Sequence, residues 1–279
     1  MAITNFIPSV WSEVLLEELS HKYVGVANCN RDFDGDIKEM GSEVRICGVN
    51  PISIFNYEKN SDMPSAEELT DSSVVVPISN ARAFNFIVDD VDRAQAHPKL
   101  MKAAMKNAAE AIARDADEFV YGLYHCVDPE NTVSDTNATY ESILDLIIKA
   151  REIILEGGAC DSNDIVLEVS PAVASLILKA KIMYGTSDNA KPLESGYLGN
   201  FCGCEVYVSN NIAYDIEGGK KIYNCYMRTK RAIAFVDQFT KIDAYRPENR
   251  FADAVKGLHL YGGSVIYPKE LVVLYLGVA

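Results

Sequence analysis

This chain is short of positive charge, of long apolar runs and of paired metal-ligand motifs, and each shortage excludes something. Lys and Arg number 26 against 40 Asp and Glu, a formal net charge of −14. Such a surface repels nucleic-acid phosphates, and the densest basic cluster is only RTKR at 228–231. A sequence-specific DNA reader is therefore excluded, whereas a protein that surrounds nucleic acid without gripping it is not. No apolar run approaches the ~18–20 residues of a membrane span, so no membrane partner is expected. The N-terminal MAITNFIPSVWSEVLLEELS lacks a basic leader and a small-residue cleavage site, so no secretion signal is read. The seven cysteines are odd in number and scattered, which fits reduced thiols better than a disulfide framework.

Catalytic motifs are missing as well. There is no H-E-x-x-H, no G-x-S-x-G and no P-loop, and His21, His97, His125 and His259 are dispersed. Two stretches still invite a chemical reading. In FCGCEVYVSNNI (201–212) a C-x-C pair, Cys202 and Cys204, opens an alternating strand. A zinc site needs a second pair, and none follows. Residues two apart in a strand share a face, so the two thiols are expected as small fillers on one buried face. A thiol- or metal-dependent enzyme using Cys202 and Cys204 is the competing reading. In DFDGDIKEMGSE, Asp32, Asp34, Asp36 and Glu43 match a calcium-loop spacing, but Ile37 stands where that loop needs glycine; a solvated turn is the better reading. No catalytic residue, cofactor or metal site is assigned, and the chain reads as a non-enzyme.

What is present is a core and two appendages. Hydrophobic residues make up 48 % of the chain, enough for a sizeable interior. Ser9 caps a short amphipathic helix whose face is Val10, Trp11, Val14, Leu15 and Leu19. That face, with the only tryptophan, is too short to be stable alone and needs a surface to bind. EVRICGVNPISIFNYE (43–58) and SSVVVPISNARAFNFIVDD (72–90) alternate as strands around a polar turn, predicting a long two-stranded ribbon with Pro51 and Pro77 at edge positions. Such a ribbon is marginal by itself. An alanine-rich helix is predicted over 97–126, followed by a polar linker, ENTVSDTNATY. Helices are then predicted in YESILDLIIKAREIILEGG and, capped by Ser170, in PAVASLILKAKIMYG. Strands are predicted in DIVLEVS, in CEVYVSNNI, twice in KKIYNCYMRTKRAIAFVDQF, and in KIDAYRP, VKGLHLYGGSVIYP and LVVLYLG. The fold class is α+β, with no internal repeat.

The order of these parts resembles one known family. IPSVWSEVLLEEL, then NRDFDGDIKEMGSEVRI, a ribbon ending FNFIVDDVDRAQ and a long alanine-rich helix, closed by GCEVYVSNNI, RAIAFVDQF and RFADAVKGLHLYGGSVIYPKELVVL, is similar to the major capsid proteins of tailed double-stranded DNA phages. The resemblance covers essentially the whole chain. It implies the Hong Kong-type capsid fold: an N-terminal arm at 1–40, an extended β-hairpin loop at 41–90 and the spine helix of a peripheral domain at 91–126. An axial domain would follow at 127–230, peripheral return strands at 231–267 and a C-terminal strand, added to the axial sheet, at 268–279. It implies self-assembly into the pentamers and hexamers of an icosahedral shell around phage DNA, built in the bacterial host cytoplasm. Partners would be a separate scaffolding protein, a portal and decoration proteins. Trp11, Leu15, Phe55, Tyr57 and Lys59 would touch neighbouring subunits. Some relatives cross-link a loop lysine to an asparagine; Lys59 and Asn249 would be that pair, with two plain surface residues as the stronger reading. An encapsulin-like compartment shell shares the fold and is the alternative within it.

Overall fold

The computed structural model describes residues 15, 18–19, 22–33, 43–49, 56, 71–89, 99–158, 164–183, 197–249 and 251–278. The long helix α1 spans Lys99–Gly122, about 36 Å at 1.5 Å per residue. It ends in a 3₁₀ turn, Leu123–Cys126, rather than continuing as α-helix. Its buried stripe is Met105, Ala109, Ile112, Ala113, Ala116 and Val120. Turn spacing in the sequence alone predicts a face of Leu100, Ala104, Ala108, Ile112, Phe119 and Leu123, and the buried stripe is rotated from it. Small alanines, not only large side chains, mark the side that lies closest to its neighbours. Asp117 sits in that stripe, fully buried.

Against α1 lies a three-stranded antiparallel sheet in the order β10 (Ile233–Tyr245), β11 (Ala252–Val265), β3 (Asn80–Asp89). KIDAYRP is not a separate strand; it continues β10 through a register shift between Phe239 and Lys241. β3 runs antiparallel to β11 from Asn80↔Tyr261 to Asp89↔Ala252.

The second arm of the ribbon, predicted as one strand over 72–90, is broken at Pro77. β1 (Glu43–Val49) pairs with β2 (Asp71–Pro77) from Glu43↔Pro77 to Val49↔Asp71. Beyond Pro77 the chain leaves the ribbon, and β3 joins β11 instead. Pro77 lacks the N–H that would carry the ladder onward. The crossing passes tightly over β11: a Cβ on Gly262 would lie 2.1 Å from the Pro77 carbonyl oxygen. Val44, Val76 and Ile78 pack there with Ala234, Val236 and Leu260 as a small core.

The remaining strands form a seven-stranded mixed sheet, β4–β12–β9–β5–β7–β6, with β8 pairing β9 off this path. They are β4 (Thr132–Ala138), β5 (Ile165–Val169), β6 (Tyr197–Phe201), β7 (Cys204–Val208), β8 (Tyr214–Glu217), β9 (Lys220–Thr229) and β12 (Leu271–Val278). The expected polar linker is in fact β4, parallel to β12. TVSDTNA carries only Val133 and Ala138 as buried positions, so its strand is made by pairing with β12, not by its own pattern. Helices α2 (Ser142–Glu156) and α3 (Pro171–Met183) cover one face of this sheet. Ser170 caps α3 through its Oγ, which accepts the Val173 N–H at 3.4 Å.

β12 is buried on both sides, which explains its unbroken apolar run. Val272, Leu274 and Leu276 join the core under α2 and α3, while Leu271 and Val273 join the core under α1. The two large cores therefore share one sheet as their common wall.

Candidate functional site

The thiol pair comes first, because it was the chemical candidate. Phe201 pairs with Cys204, leaving Cys202 and Gly203 as a two-residue turn. Both have positive φ, 52° and 77°, as a tight hairpin turn of the primed type requires. Cys202 is thus at the tip of a turn, not on the strand face it was expected to share with Cys204. Cys204 is fully buried, with Val206 on its side of the strand. Burial pushes the Cys204 thiol up to about 11, against the lowering influence of Arg151. Cys202 is also raised, again mainly by burial. Both therefore stay protonated and poorly nucleophilic near neutral pH. Among the described residues no group of three His, Cys, Asp or Glu is arranged to hold a metal ion.

The strongest polar constellation lies elsewhere, where residues 22–30 pass between the two cores. Glu168 on β5 and Arg228 on β9 are a fully buried ion pair, with Nε and Nη2 each donating to the carboxylate at 3.1 Å. The Arg228 Nη1 and Nη2 also donate to the carbonyls of Asn28 at 2.6 Å and Gly25 at 2.9 Å. Asn28 Nδ2 completes the circuit, donating to Glu168 at 3.0 Å and to the Val24 carbonyl at 3.1 Å. From α1, Asp117 accepts the backbone N–H groups of Val24 and Val26 at 3.2 and 3.0 Å. Burial raises Asp117 to about 6, although those two N–H bonds pull it down. The backbone at Gly25 runs close under α1: a Cβ there would lie 2.9 Å from the buried Tyr121 ring, which would have to move aside.

A second tie fastens the same segment to β10 and β11. Asp237 accepts from Arg31 at 2.7 Å and from the Tyr23 hydroxyl at 3.1 Å, and contacts His259 Nε2 at 3.3 Å. Burial works against its charge, but His259, Arg31 and Tyr23 together hold its carboxyl below the usual range. Asn30 bridges to β10, with its N–H on the Ile233 carbonyl and its carbonyl taking the Phe235 N–H. Beside it opens a cleft of about 310 Å³ lined by Cys29, Asn30, Arg31, Asp32, Asp164, Thr229, Lys230 and Arg231. Its cations have partners: Arg31 pairs with Asp237, Lys230 with Glu205 and Arg231 with Glu270.

Of the residues expected at subunit contacts, Trp11, Phe55, Tyr57 and Lys59 lie outside the described residues. Leu15 is fully buried within its own chain, in the core of Leu19, Met105, Ala109 and Ile112. Asp34 and Asp36 of the calcium-like spacing also lie outside, while Asp32 closes a local turn by its N–H to Asn30 Oδ1. Asn249 is exposed at the turn between β10 and β11. Sequence reasoning missed Asn28, Asp117, Glu168 and Arg228. The one available signal was a Glu inside the apolar run IVLEV, since a carboxylate in a buried strand demands a partner.

No protein-family model matches the chain, and no curated protein matches it by sequence. Solved structures do. A chain of Mycobacterium phage Che8 matches with a TM-score of 0.67 and 28 % identity, over 98 % of each chain. The chain has the capsid fold of tailed phages. The capsid of Ralstonia phage GP4 matches at TM-score 0.68 and 9 % identity, over 92 % of this chain and 89 % of that one. The mature capsid of bacteriophage PhiM1 matches at 0.63 and 14 %, over 91 % and 87 %. These matches each cover 87 % or more of both chains, so the resemblance read from the order of parts and the fold agree.

Proposed function

We propose that this chain is the major capsid protein of a tailed phage, assembling with copies of itself into the shell that encloses double-stranded DNA. The observation that carries this reading is the end-to-end match to the Che8 phage chain, 98 % of each at 28 % identity, beside the matches to the GP4 and PhiM1 capsids. The cohering physical picture is a subunit whose stable mass is two shared cores, from which a paired ribbon departs at Pro77. On this reading 1–40 is the arm, 41–90 the extended loop, 91–126 the spine helix, and 127–230 with 268–279 the axial domain. Residues 231–267 return to the peripheral domain. Trp11, Phe55, Tyr57 and Lys59 supply contacts to neighbours, and the role is structural rather than catalytic. Scaffolding and portal proteins act as separate partners, and assembly takes place in the host cytoplasm. A compartment shell of the same fold is disfavoured by the phage capsids among its matches.

The test is electron microscopy of the purified full chain, alone and co-expressed with a scaffolding protein. Closed uniform shells or rings of five and six subunits are expected. A compact monomer that never assembles under either condition overturns the reading.

A further inference from the structure

The crossing of residues 22–30 encloses two fully buried carboxylates, Asp117 and Glu168, but one fully buried guanidinium, Arg228. Arg228 spends its bonds on Glu168 and on the carbonyls of Gly25 and Asn28. Asp117 is held by the Val24 and Val26 N–H groups and, at 3.5 Å, by the Asn211 amide. The groups that face it are Tyr121 from its own helix, Glu168 from β5, Tyr23 and Cys29 from the crossing segment, and Asn211 after β7. Among the described residues two buried acids meet one buried base, so one carboxylate charge has no cation of its own there. A buried charge in that position is relieved by binding a proton.

We propose that this crossing is a proton-operated clasp, in which Asp117 takes up one proton in mildly acidic solution and residues 22–30 are then held more tightly than at neutral pH. The proton comes from solvent onto one carboxyl oxygen. The other oxygen continues to accept an N–H of the crossing segment. The new O–H finds its acceptor in the Asn211 side-chain oxygen once that amide turns over.

The sign follows from linkage. The folded Asp117 value, about 6, lies above its ordinary 3.8, so the folded chain binds the proton more tightly than the opened one. Stability at the clasp therefore rises as pH falls from about 7 to about 4. Asp237, held low, works the other way and only at more acidic pH, so the two ties separate by pH range. This inference stands apart from the capsid reading, because it concerns a single subunit.

Hydrogen exchange of the full chain, followed by mass spectrometry in peptides covering 22–30 and corrected for intrinsic chemistry, tests it. Protection of those peptides is expected to rise about tenfold between pH 7 and pH 5. Asp117→Asn is expected to abolish that rise. Infrared titration of the wild type over the same range supplies a readout that needs no variant, with one buried carboxyl gaining its proton band. Flat or falling protection, a rise that persists in Asp117→Asn, or no carboxyl uptake between pH 7 and 5 overturns the clasp.

Discussion

Glu168 and Arg228 each show no exposed surface, and each is the other's principal charge partner. Glu168→Gln leaves a buried guanidinium without its counter-charge and is expected to cost about 3–5 kcal/mol, read as a lower urea midpoint. The double replacement Glu168→Met with Arg228→Met is expected to cost less than the single change, because no buried charge is then stranded. A cost of the double variant equal to the sum of the two singles would count against that coupling. The thiols give a second residue-scale expectation. Cys126 is exposed, whereas Cys29, Cys204 and Cys225 are buried. Burial raises Cys225 to about 12 and Cys29 to about 11. A thiol reagent added to native subunits at neutral pH is therefore expected to modify Cys126 ahead of those three, which react fully only on unfolding. Peptide mapping of the labelled chain checks the order. Cys204→Ser places a hydroxyl in an apolar core and is expected to cost about 1–3 kcal/mol without a chemical loss of function.

At the scale of elements, the decisive event is the exit of the chain from its ribbon. β2 ends at Pro77, and the next strand belongs to a different sheet. Gly262 makes the crossing possible, since any side chain would meet the Pro77 carbonyl. Gly262→Ala is expected to push the Pro77–Ile78 segment off β11 and cost about 1–3 kcal/mol. Faster proteolysis between 71 and 80, with the α2 and α3 core still protected, would mark the damage as local. Unchanged stability and cleavage would refute the tight crossing. Elements also differ in how plainly they are written in the chain. α2, α3 and β5 follow from helical spacing, a Ser170 cap and a short apolar run. β4 does not, because TVSDTNA is polar and becomes a strand only beside β12. The stripe of α1 is not legible from its large side chains, because Ala109, Ala113 and Ala116 mark close approach as plainly as a large side chain marks burial.

For the molecule as a whole, the two cores share β9 and β12 as a wall, and residues 22–30 are stitched to α1, β5, β9 and β10. Disturbing the crossing should thus loosen both cores together. In assembled shells, stability is also expected to depend on neighbours and on subunit concentration. Thermal melts of particles and of dissociated subunits would show a higher transition in the particles; coincident transitions would argue that assembly adds nothing. What the amino-acid sequence determined by itself was the order of parts, the amphipathic helices and the apolar strands. Those depend on neighbours a few residues apart, where spacing alone decides which side is buried. The tertiary structure decided the rest: Asn28 against Glu168 and Asp117 against Val26 join residues 140 and 91 apart. It also decided the break at Pro77, the turn beneath Cys202 and the strand at β4. No local pattern encodes such pairings, because each residue's environment is supplied by a distant strand that arrives only when the chain has folded.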